Sequence, residues 1–340
     1  MQFQRTIGID YSGAETADSS LKGLRVYMTE GGGPAAEVPP PVGPKRYWTR
    51  RGLASWLTDR LAEDIPTIAG IDHSFSFPEA YFARHDLPRD WDMFLEDFHA
   101  HWPTDQKNLY VDFIRDGIAG LAYKRGGETR WRRKAEEIAR AKSVFHFDVT
   151  GQVAKSTHAG LPFIRAIRLA LPALHVWPFD GWTIPADTSA LVEIYPRLWA
   201  ADYPNEGRTQ DQQDAFVAAS WLRDADRDGR LAAALQPELG EQTLRLARHE
   251  GWILGVVADV MSAPKGRSKK GASRGTTTPG YRNQNAQIVI GPTGRPGTDH
   301  NQQIYYLHCG SCGLNYGANG SDIHIRKCPR CSGGVPGLII

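Results

Sequence analysis

Five carboxylates and four thiols are the side chains in this 340-residue sequence whose spacing suggests chemistry. The apolar run Ile7-Gly8-Ile9 ends in Asp10, with Ser12 and Gly13 close behind. Thr67-Ile68-Ala69-Gly70-Ile71 ends in Asp72. Ala190-Leu191-Val192 runs into Glu193 ahead of Tyr195-Pro196. A carboxylate at the end of a buried strand is costly unless it is solvated, paired or bound to a cation. Asp211 and Asp214 open a helix and, at i and i+3, share one face. Such groups, brought together, raise one another's pKa unless a cation sits among them. The chemistry that fits is phosphodiester hydrolysis with two divalent cations, Mg2+ or Mn2+, about 3.5–4 Å apart. Asp10, Asp72 and Asp214 are then the expected ligands, with Glu193 or Asp211 assisting. Ser12, Lys155, Ser156, Arg197, Lys269 and Lys270 are the expected substrate contacts. Two plainer roles stay open: Glu193 pairing with Arg197, and Asp211 as a favourable charge near a helix N-terminus.

The thiols are Cys309, Cys312, Cys328 and Cys331, two C-x-x-C knuckles separated by 15 residues. This spacing suits one tetrahedral zinc ion held by four thiolates, with a disulfide pair or an iron–sulfur cluster as alternatives. His308 and His324 are neighbours rather than ligands, because four sulfurs fill the shell. The module resembles zinc ribbons, and one so small needs its metal to fold. Arg326, Lys327, Arg330 and His324, with Tyr305, Tyr306 and Tyr316 for stacking, suit nucleic acid. Protein contact or a purely structural role is the alternative.

The elements that must position these groups follow from pattern. Residues 3–10 and 23–28 read as strands, and Gly31–Pro44 as a long turn with a short strand near Ala36–Val38. Thr49 caps a helix with the stripe Leu53, Ala54, Leu57 and Leu61. Residues 79–142 read as an aromatic-rich helical insertion. Its last helix carries Arg130, Arg132, Arg133, Lys134 and Arg140, either as a solvated face with Glu136 and Glu137 or as a phosphate patch. Ser143–Val149 reads as a strand and Gly151–Thr157 as a loop. Pro162 is expected in a helix's first turn. Asp211–Asp224 is a helix packing through Ala215, Ala218, Ala219 and Leu222. Glu241–His249 is a last helix, and Trp252–Val257 a short strand. Two look-alikes fail. A phosphate-binding loop ending in Lys155-Ser156 needs glycine where Val149 and Ala154 stand. The calcium-loop start Asp224–Gly229 has Leu235 where a glutamate belongs, so it reads as a solvated turn.

Ser262–Arg282 holds Lys265, Arg267, Lys269, Lys270, Arg274 and Arg282 and no acidic residue, a flexible basic linker by composition. The expected division is 1–258, 259–283 (linker) and 284–340. Net charge is only +2 and apolar content 41%, so a sizeable core is available and local clustering must decide the partner. With no apolar run of 18 residues and no signal-like N-terminal core, the expectation is a soluble, cytoplasmic protein without a membrane partner.

Strand-Asp, strand, short strand, helix, strand-Asp, insertion, strand, helix-Asp is the order of the RNase H fold, an α/β mixed sheet flanked by helices. Ile7–Asp10, Ala69–Asp72, Lys155-Ser156-Thr157 with Gly160-Leu161-Pro162, Val192–Pro196 and Asp214-Ala215-Phe216 resemble an uncharacterised bacterial family of predicted nucleases with that fold, over about residues 1–258. The resemblance implies a metal-dependent nuclease acting on DNA or RNA, with Asp10, Asp72 and Asp214, and with Glu193, in the site. The long insertion and the tail depart from simpler members. Two other classes stay open: an ATP-using phosphotransferase or ATPase on a related core, and a nucleic-acid-binding protein without catalysis.

Overall fold

β1 (Arg5–Asp10) is the centre of a six-stranded mixed sheet. It pairs antiparallel with β2 (Arg25–Glu30), which pairs antiparallel with the two-residue β3 (Ala36–Glu37). On its other side β4 (Thr67–Asp72), then β6 (Ala190–Glu193), then the short β5 (His175–Val176) run parallel to it. The order is β3-β2-β1-β4-β6-β5. The computed structural model describes residues 2–147, 153–257, 276–298 and 303–338. It divides into the units Met1–Met261 and Ser262–Ile340.

Strand alternation sorts the sheet's two faces. Ile7, Ile9, Ala69, Ile71 and Leu191 join one core with Leu53, Leu57 and Leu61 of α1 (Arg50–Leu61) and with Ile164 and Ile167 of α6 (Val153–Ala170). Thr49 caps α1, its Oγ1 accepting the Gly52 N–H at 2.9 Å. The opposite face is covered by α7 (Gln210–Asp228). There β1 offers Thr6 and Gly8 ahead of its terminal Asp10. A Cβ on Gly8 would stand 2.3 Å from both the Ala215 carbonyl oxygen and the Ala219 nitrogen, so α7 lies with its backbone on the strand. Thr6 Oγ1 donates to the Ala219 carbonyl at 2.8 Å. Asp226 accepts the Gln2 and Phe3 N–H groups, each at 2.9 Å, and pins the far end of α7. Asp224–Gly229 is thus the helix's last turn and left-handed cap rather than a solvated turn. Beyond it come α8 (Arg230–Leu235) and α9 (Glu241–Glu250). Trp252–Val257 is not a strand; Trp252, Ile253, Leu254 and Val256 are buried and Val257 is exposed.

The insertion is less helical than its pattern suggests. It holds α2 (Glu79–Arg84), α3 (Trp91–His101), α4 (Val111–Arg115) and α5 (Lys134–Ala139), joined by irregular chain. Its aromatic rings pack with those that flank it: Phe77 meets Tyr81, Phe94, Phe98 and Phe145 at 4.8–5.5 Å between centroids. Residues 143–147 form no strand, and the rest of that expected strand lies outside the described residues. Pro162 is not in a first turn but inside α6. Proline cannot donate to the His158 carbonyl four residues back. Thr104 Oγ1, from the insertion, donates there instead at 2.9 Å.

The second unit is a three-stranded antiparallel sheet, β7 (Gln287–Pro296), β8 (Gln303–Cys309) and β9 (Asn315–Asn319). Its core is Val289, Leu307, Tyr316, Ala318 and Ile323. Gly280 and Asn283 donate their N–H groups to Val289 and Gln287 at 2.7 and 3.0 Å, so the folded part begins within the expected linker. No helix among the described residues is long and apolar enough to cross a membrane.

The closeness of α7 to β1 is testable. Gly8→Ala should destabilise the first unit by about 2–3 kcal/mol, the upper range for overpacking, because backbone rather than a side chain must move. Denaturant unfolding followed by tryptophan fluorescence reads this, and an unchanged midpoint would refute the contact.

Candidate carboxylate and thiol sites

Parity along the strands decides which carboxylates meet. Asp10 follows Gly8 at i+2 and Asp72 follows Gly70, so both share the face of Gly8, the one α7 covers. They stand side by side, Asp10 opposite Asp72 on neighbouring parallel strands. Asp211 and Asp214 lie one turn ahead of Ala215 and Ala218 on α7, which brings the helix's first turn over the strand ends. Among the described residues, neither the Asp10 nor the Asp72 side chain has a hydrogen bond or an ion pair; charge is what couples them to their neighbours. Burial first, then Asp72, Asp211 and Asp214, raise the Asp10 pKa well above the usual carboxylate range, with Arg25 opposing. Burial, Asp214 and Glu193 raise that of Asp72. Burial raises that of Asp214 too, although Gln210 Nε2 donates to it at 2.8 Å.

Glu193 is the correction. It pairs in register with Ile71, whose side chain joins the α1 and α6 core, so it projects to the face opposite Asp10 and Asp72. There the fully buried Arg133 meets it. Arg133 Nη1 donates to Glu193 Oε2 at 2.7 Å and Nη2 to Oε1 at 2.5 Å. Its remaining donors reach Glu136 Oε1 (2.9 Å), the Glu250 carbonyl (3.0 Å) and Ser74 Oγ (2.8 Å). All five N–H groups of the guanidinium are thereby used. Glu193 also accepts the Phe75 N–H at 3.2 Å. Arg133 is therefore neither a solvated nor a phosphate-facing residue. Arg197, the partner considered for Glu193, is exposed on a separate short turn.

The loop behind Asp10 is fixed from two sides. Arg50, fully buried at the start of α1, donates to the carbonyls of Ser12, Ala14 and Glu15 at 3.0, 2.6 and 2.8 Å. A Cβ on Gly13 would stand 2.1 Å from the Lys155 carbonyl carbon, so this loop rests on the first turn of α6. Ser12 Oγ and Asp211 Oδ2 face Gly23, each 3.6 Å from where its Cβ would be. Thr157 Oγ1 accepts the Ser74 N–H at 3.1 Å. His73 Nδ1 donates to the Ser74 carbonyl at 2.9 Å, and the ring lies against Gly160, where a Cβ would meet Nε2 at 2.3 Å. Burial, foremost, pushes the His73 pKa down to about 4, so it stays neutral. The Lys155-to-Gly160 stretch thus packs against both strand ends. Lys155 itself is paired with Asp112 at 2.7 Å, and Ser156 is buried with Oγ donating to Val153 at 3.2 Å. Neither presents itself to a substrate. Lys269 and Lys270 lie outside the described residues. Arg50 and Arg133 escaped the sequence reading because an arginine spent on buried carbonyls or carboxylates looks, in one dimension, like any other.

In the second unit the four sulfurs all lie within 4.8 Å of one another, the one such group of three or more ligands among the described residues. The pairs Cys309–Cys331 and Cys312–Cys328 are each 3.6 Å apart, too far for an S–S bond. A tetrahedron with arms of about 2.3 Å has edges of about 3.8 Å, so the set fits one metal ion. Gln287 Nε2 points at Cys309 Sγ at 3.6 Å. Burial resists ionisation of Cys309, but the Ser311 and Cys312 N–H groups and Gln287 overcome it and bring the thiol to about 6. The Leu314 N–H favours a Cys312 thiolate, yet burial and the other three sulfurs push that thiol up to about 12. Without a cation, the sulfurs around Cys312 thus disfavour its thiolate. His308 is held by Asn315 at 2.7 Å, outside the set. Tyr316 is buried, its hydroxyl donating to Gln287 Oε1 at 2.9 Å, and Arg326 is spent on the Pro336 carbonyl at 2.7 Å. Neither serves the surface role expected of it.

Comparison with protein-family models, with curated proteins and with solved structures finds no match to this chain.

The carboxylate centre makes a prediction about stability. A carboxyl whose folded pKa is raised favours folding while protonated, and that gain is lost as pH rises from the unfolded value near 4 through the folded one. At neutral pH the metal-free protein therefore carries a like-charge penalty. Asp10→Asn should melt about 2–4 °C above the parent in metal-free buffer at pH 7, a gap that closes toward pH 4. Calorimetry across that range would count against the cluster if the variant were the less stable protein throughout.

Proposed function

We propose that the first unit is an RNase H-like, metal-dependent nuclease and that the second is a zinc ribbon that helps hold nucleic acid. One observation carries the first part. Asp10 and Asp72 stand in register on adjacent parallel strands with no hydrogen-bond or ion-pair partner among the described residues, beneath a helix that adds Asp211 and Asp214. The strand order and directions support the same fold, an antiparallel β1–β2–β3 followed by parallel strands, with α7 on the face opposite α1 and α6. The bacterial family of predicted nucleases that the sequence motifs resemble points the same way.

The donor set suits Mg2+ or Mn2+, since hard cations take oxygen ligands and, among the described residues, the Asp10 and Asp72 oxygens accept no hydrogen bond. Unlike the thiols, the four aspartates do not gather around one point, and the reading takes two cations about 3.5–4 Å apart among them. Such ions would activate water and offset charge on a phosphodiester. The residues themselves do the rest. Asp10 and Asp72 would hold their charge on rigid strands, Asp214 would be oriented by Gln210, and Asp211 would stand beside Ser12 at the rim. Glu193 takes no part in this set; it anchors Arg133.

The test is a cleavage assay on labelled DNA and RNA, single-stranded, duplex and branched, in metal-free buffer and with Mg2+ or Mn2+. Cutting should require the added metal and fall more than about a hundredfold in Asp10→Asn, beyond the loss typical of an outer-shell change. Undiminished cutting by the variant would remove these carboxylates from the reaction.

For the ribbon, four thiols and a core of five buried residues make the metal the main source of order. The chain should carry about one zinc. Cys328→Ser should lose it, together with amide-exchange protection in β7–β9, while the first unit keeps its own. A variant that keeps both zinc and protection would exclude the site.

A further inference from the structure

We propose that Lys22, Lys45, Arg46 and Lys107 form a cationic rim beside the carboxylate centre that binds the phosphate backbone of a nucleic-acid strand by charge, without reading its sequence. The inference rests on the nuclease reading and names how that site would take its substrate.

The four side chains are exposed and, among the described residues, none has an ion-pair partner. They sit on three loops, the one between β1 and β2, the one before α1 and the one after α3, and two of them reach the surroundings of the carboxylates. Lys22 adjoins Gly23, the residue that Ser12 and Asp211 face. Arg46 lies over the Tyr47 ring at 5.2 Å, and Arg25 over the same ring at 4.8 Å. Arg25 in turn stands opposite Asp10 in the β1–β2 register and is neutralised by Glu37 at 2.9 Å. Lys45 and Lys107 are both within electrostatic range of Asp18. The rim's own carboxylates do not cancel it. Asp18 is taken by Arg51 at 2.8 Å, which leaves Glu15 and Asp105, the latter hydrogen-bonded to His99 at 3.0 Å, against four cations.

The rim is also presented rigidly. Pro39, Pro40, Pro41 and Pro44 stiffen the approach. The buried Trp48 fixes its end, with Nε1 donating to the Val38 carbonyl at 2.9 Å and its own carbonyl accepting the Leu21 N–H at 3.0 Å. Tyr47 N–H donates to Ser20 Oγ at 2.9 Å. A charge held in place loses little freedom on binding. The same details argue against base reading. Tyr47 already carries two guanidinium groups, Trp48 and Tyr11 are buried, and lysines act as point charges rather than planar readers of base edges.

The test uses the full chain carrying Asp10→Asn, with two fluorescent single strands of equal length and unrelated sequence, titrated from 50 to 300 mM salt. Lys45→Gln with Arg46→Gln, and separately Lys22→Gln with Lys107→Gln, should each weaken binding of both strands equally. Each pair should flatten the slope of log affinity on log salt by about 1.4, at about 0.7 per phosphate contact. Thermal unfolding should not change. Unaltered affinity and slope in both pairs would overturn the rim, even if metal-dependent cutting by the Asp10 parent chain persists, in which case the nuclease reading stands alone. Rim-dependent binding by a chain that cuts nothing would keep the rim and remove the nuclease. Equal displacement by polyglutamate of matched charge would also overturn the proposal, in favour of an acidic polypeptide partner.

Discussion

The contact between Gly8 and the backbone of α7 sets the rest of the first unit. A side chain at that position would collide with the carbonyl of Ala215 and the nitrogen of Ala219. With hydrogen there, and with Ala215, Ala218 and Ala219 facing it, the helix settles directly on the strand. Both ends of α7 are then held, by Asp226 on the N–H groups of Gln2 and Phe3 and by Gln212 on Glu37 at 2.8 Å. The helix's first turn has no latitude. Asp211 and Asp214 come to stand over the ends of β1 and β4 because glycine and alanine permit it, not because the carboxylates attract one another. Their mutual repulsion works against the arrangement, and the packing below must override it.

The same strands carry two opposite treatments of buried charge. On one face Arg133 meets Glu193, Glu136, Ser74 and the Glu250 carbonyl and leaves no donor unused. A buried ion is tolerable on those terms, and removing one partner from such a network typically costs about 3–5 kcal/mol. On the other face Asp10 and Asp72 have no counter-charge in contact among the described residues, and neighbouring carboxylates raise the pKa of each, Asp72 that of Asp10 and Asp214 that of Asp72. Structural networks tend toward full satisfaction. Asp10 and Asp72 are instead half-buried at the strand ends, and their repulsion is left without such partners among the described residues.

This contrast also explains what the sequence could and could not say. Asp10 and Asp72 were legible because each ends an apolar run, and the packing stripe of α7 because alanines repeat at helical spacing. The thiol cluster was legible because four sulfurs at knuckle spacing have few other uses. Glu193 was misplaced for a definite reason. It too ends an apolar run, but which face a strand residue takes depends on its register with a neighbour, and a shift of one residue reverses it. Glu193 aligns with Ile71, one residue short of Asp72, and so lands on the other side. Pro162 misled in a similar way. Its missing N–H ordinarily marks a helix start, and only Thr104, 58 positions away in sequence, reveals how the free His158 carbonyl is satisfied. Tyr316 and Arg326 look like surface residues until their partners in the small ribbon core are known.

The insertion is more than a layer of aromatic rings laid over the sheet. Glu250, at the end of α9, accepts the N–H of Glu79 at 2.6 Å and of Lys134 at 2.8 Å, the first residues of α2 and α5. One carboxylate thereby ties two helix starts to a third helix, where the helix dipoles favour negative charge. Through α5 the tie continues to Arg133, then to Ser74 Oγ, two residues beyond Asp72. The end of β4 is consequently held from the insertion on one face while α7 covers the other. A carboxylate without a hydrogen-bond or ion-pair partner among the described residues keeps a fixed position only if the backbone beneath it cannot move. The charge network that excludes Glu193 from the centre is what supplies that rigidity to Asp72.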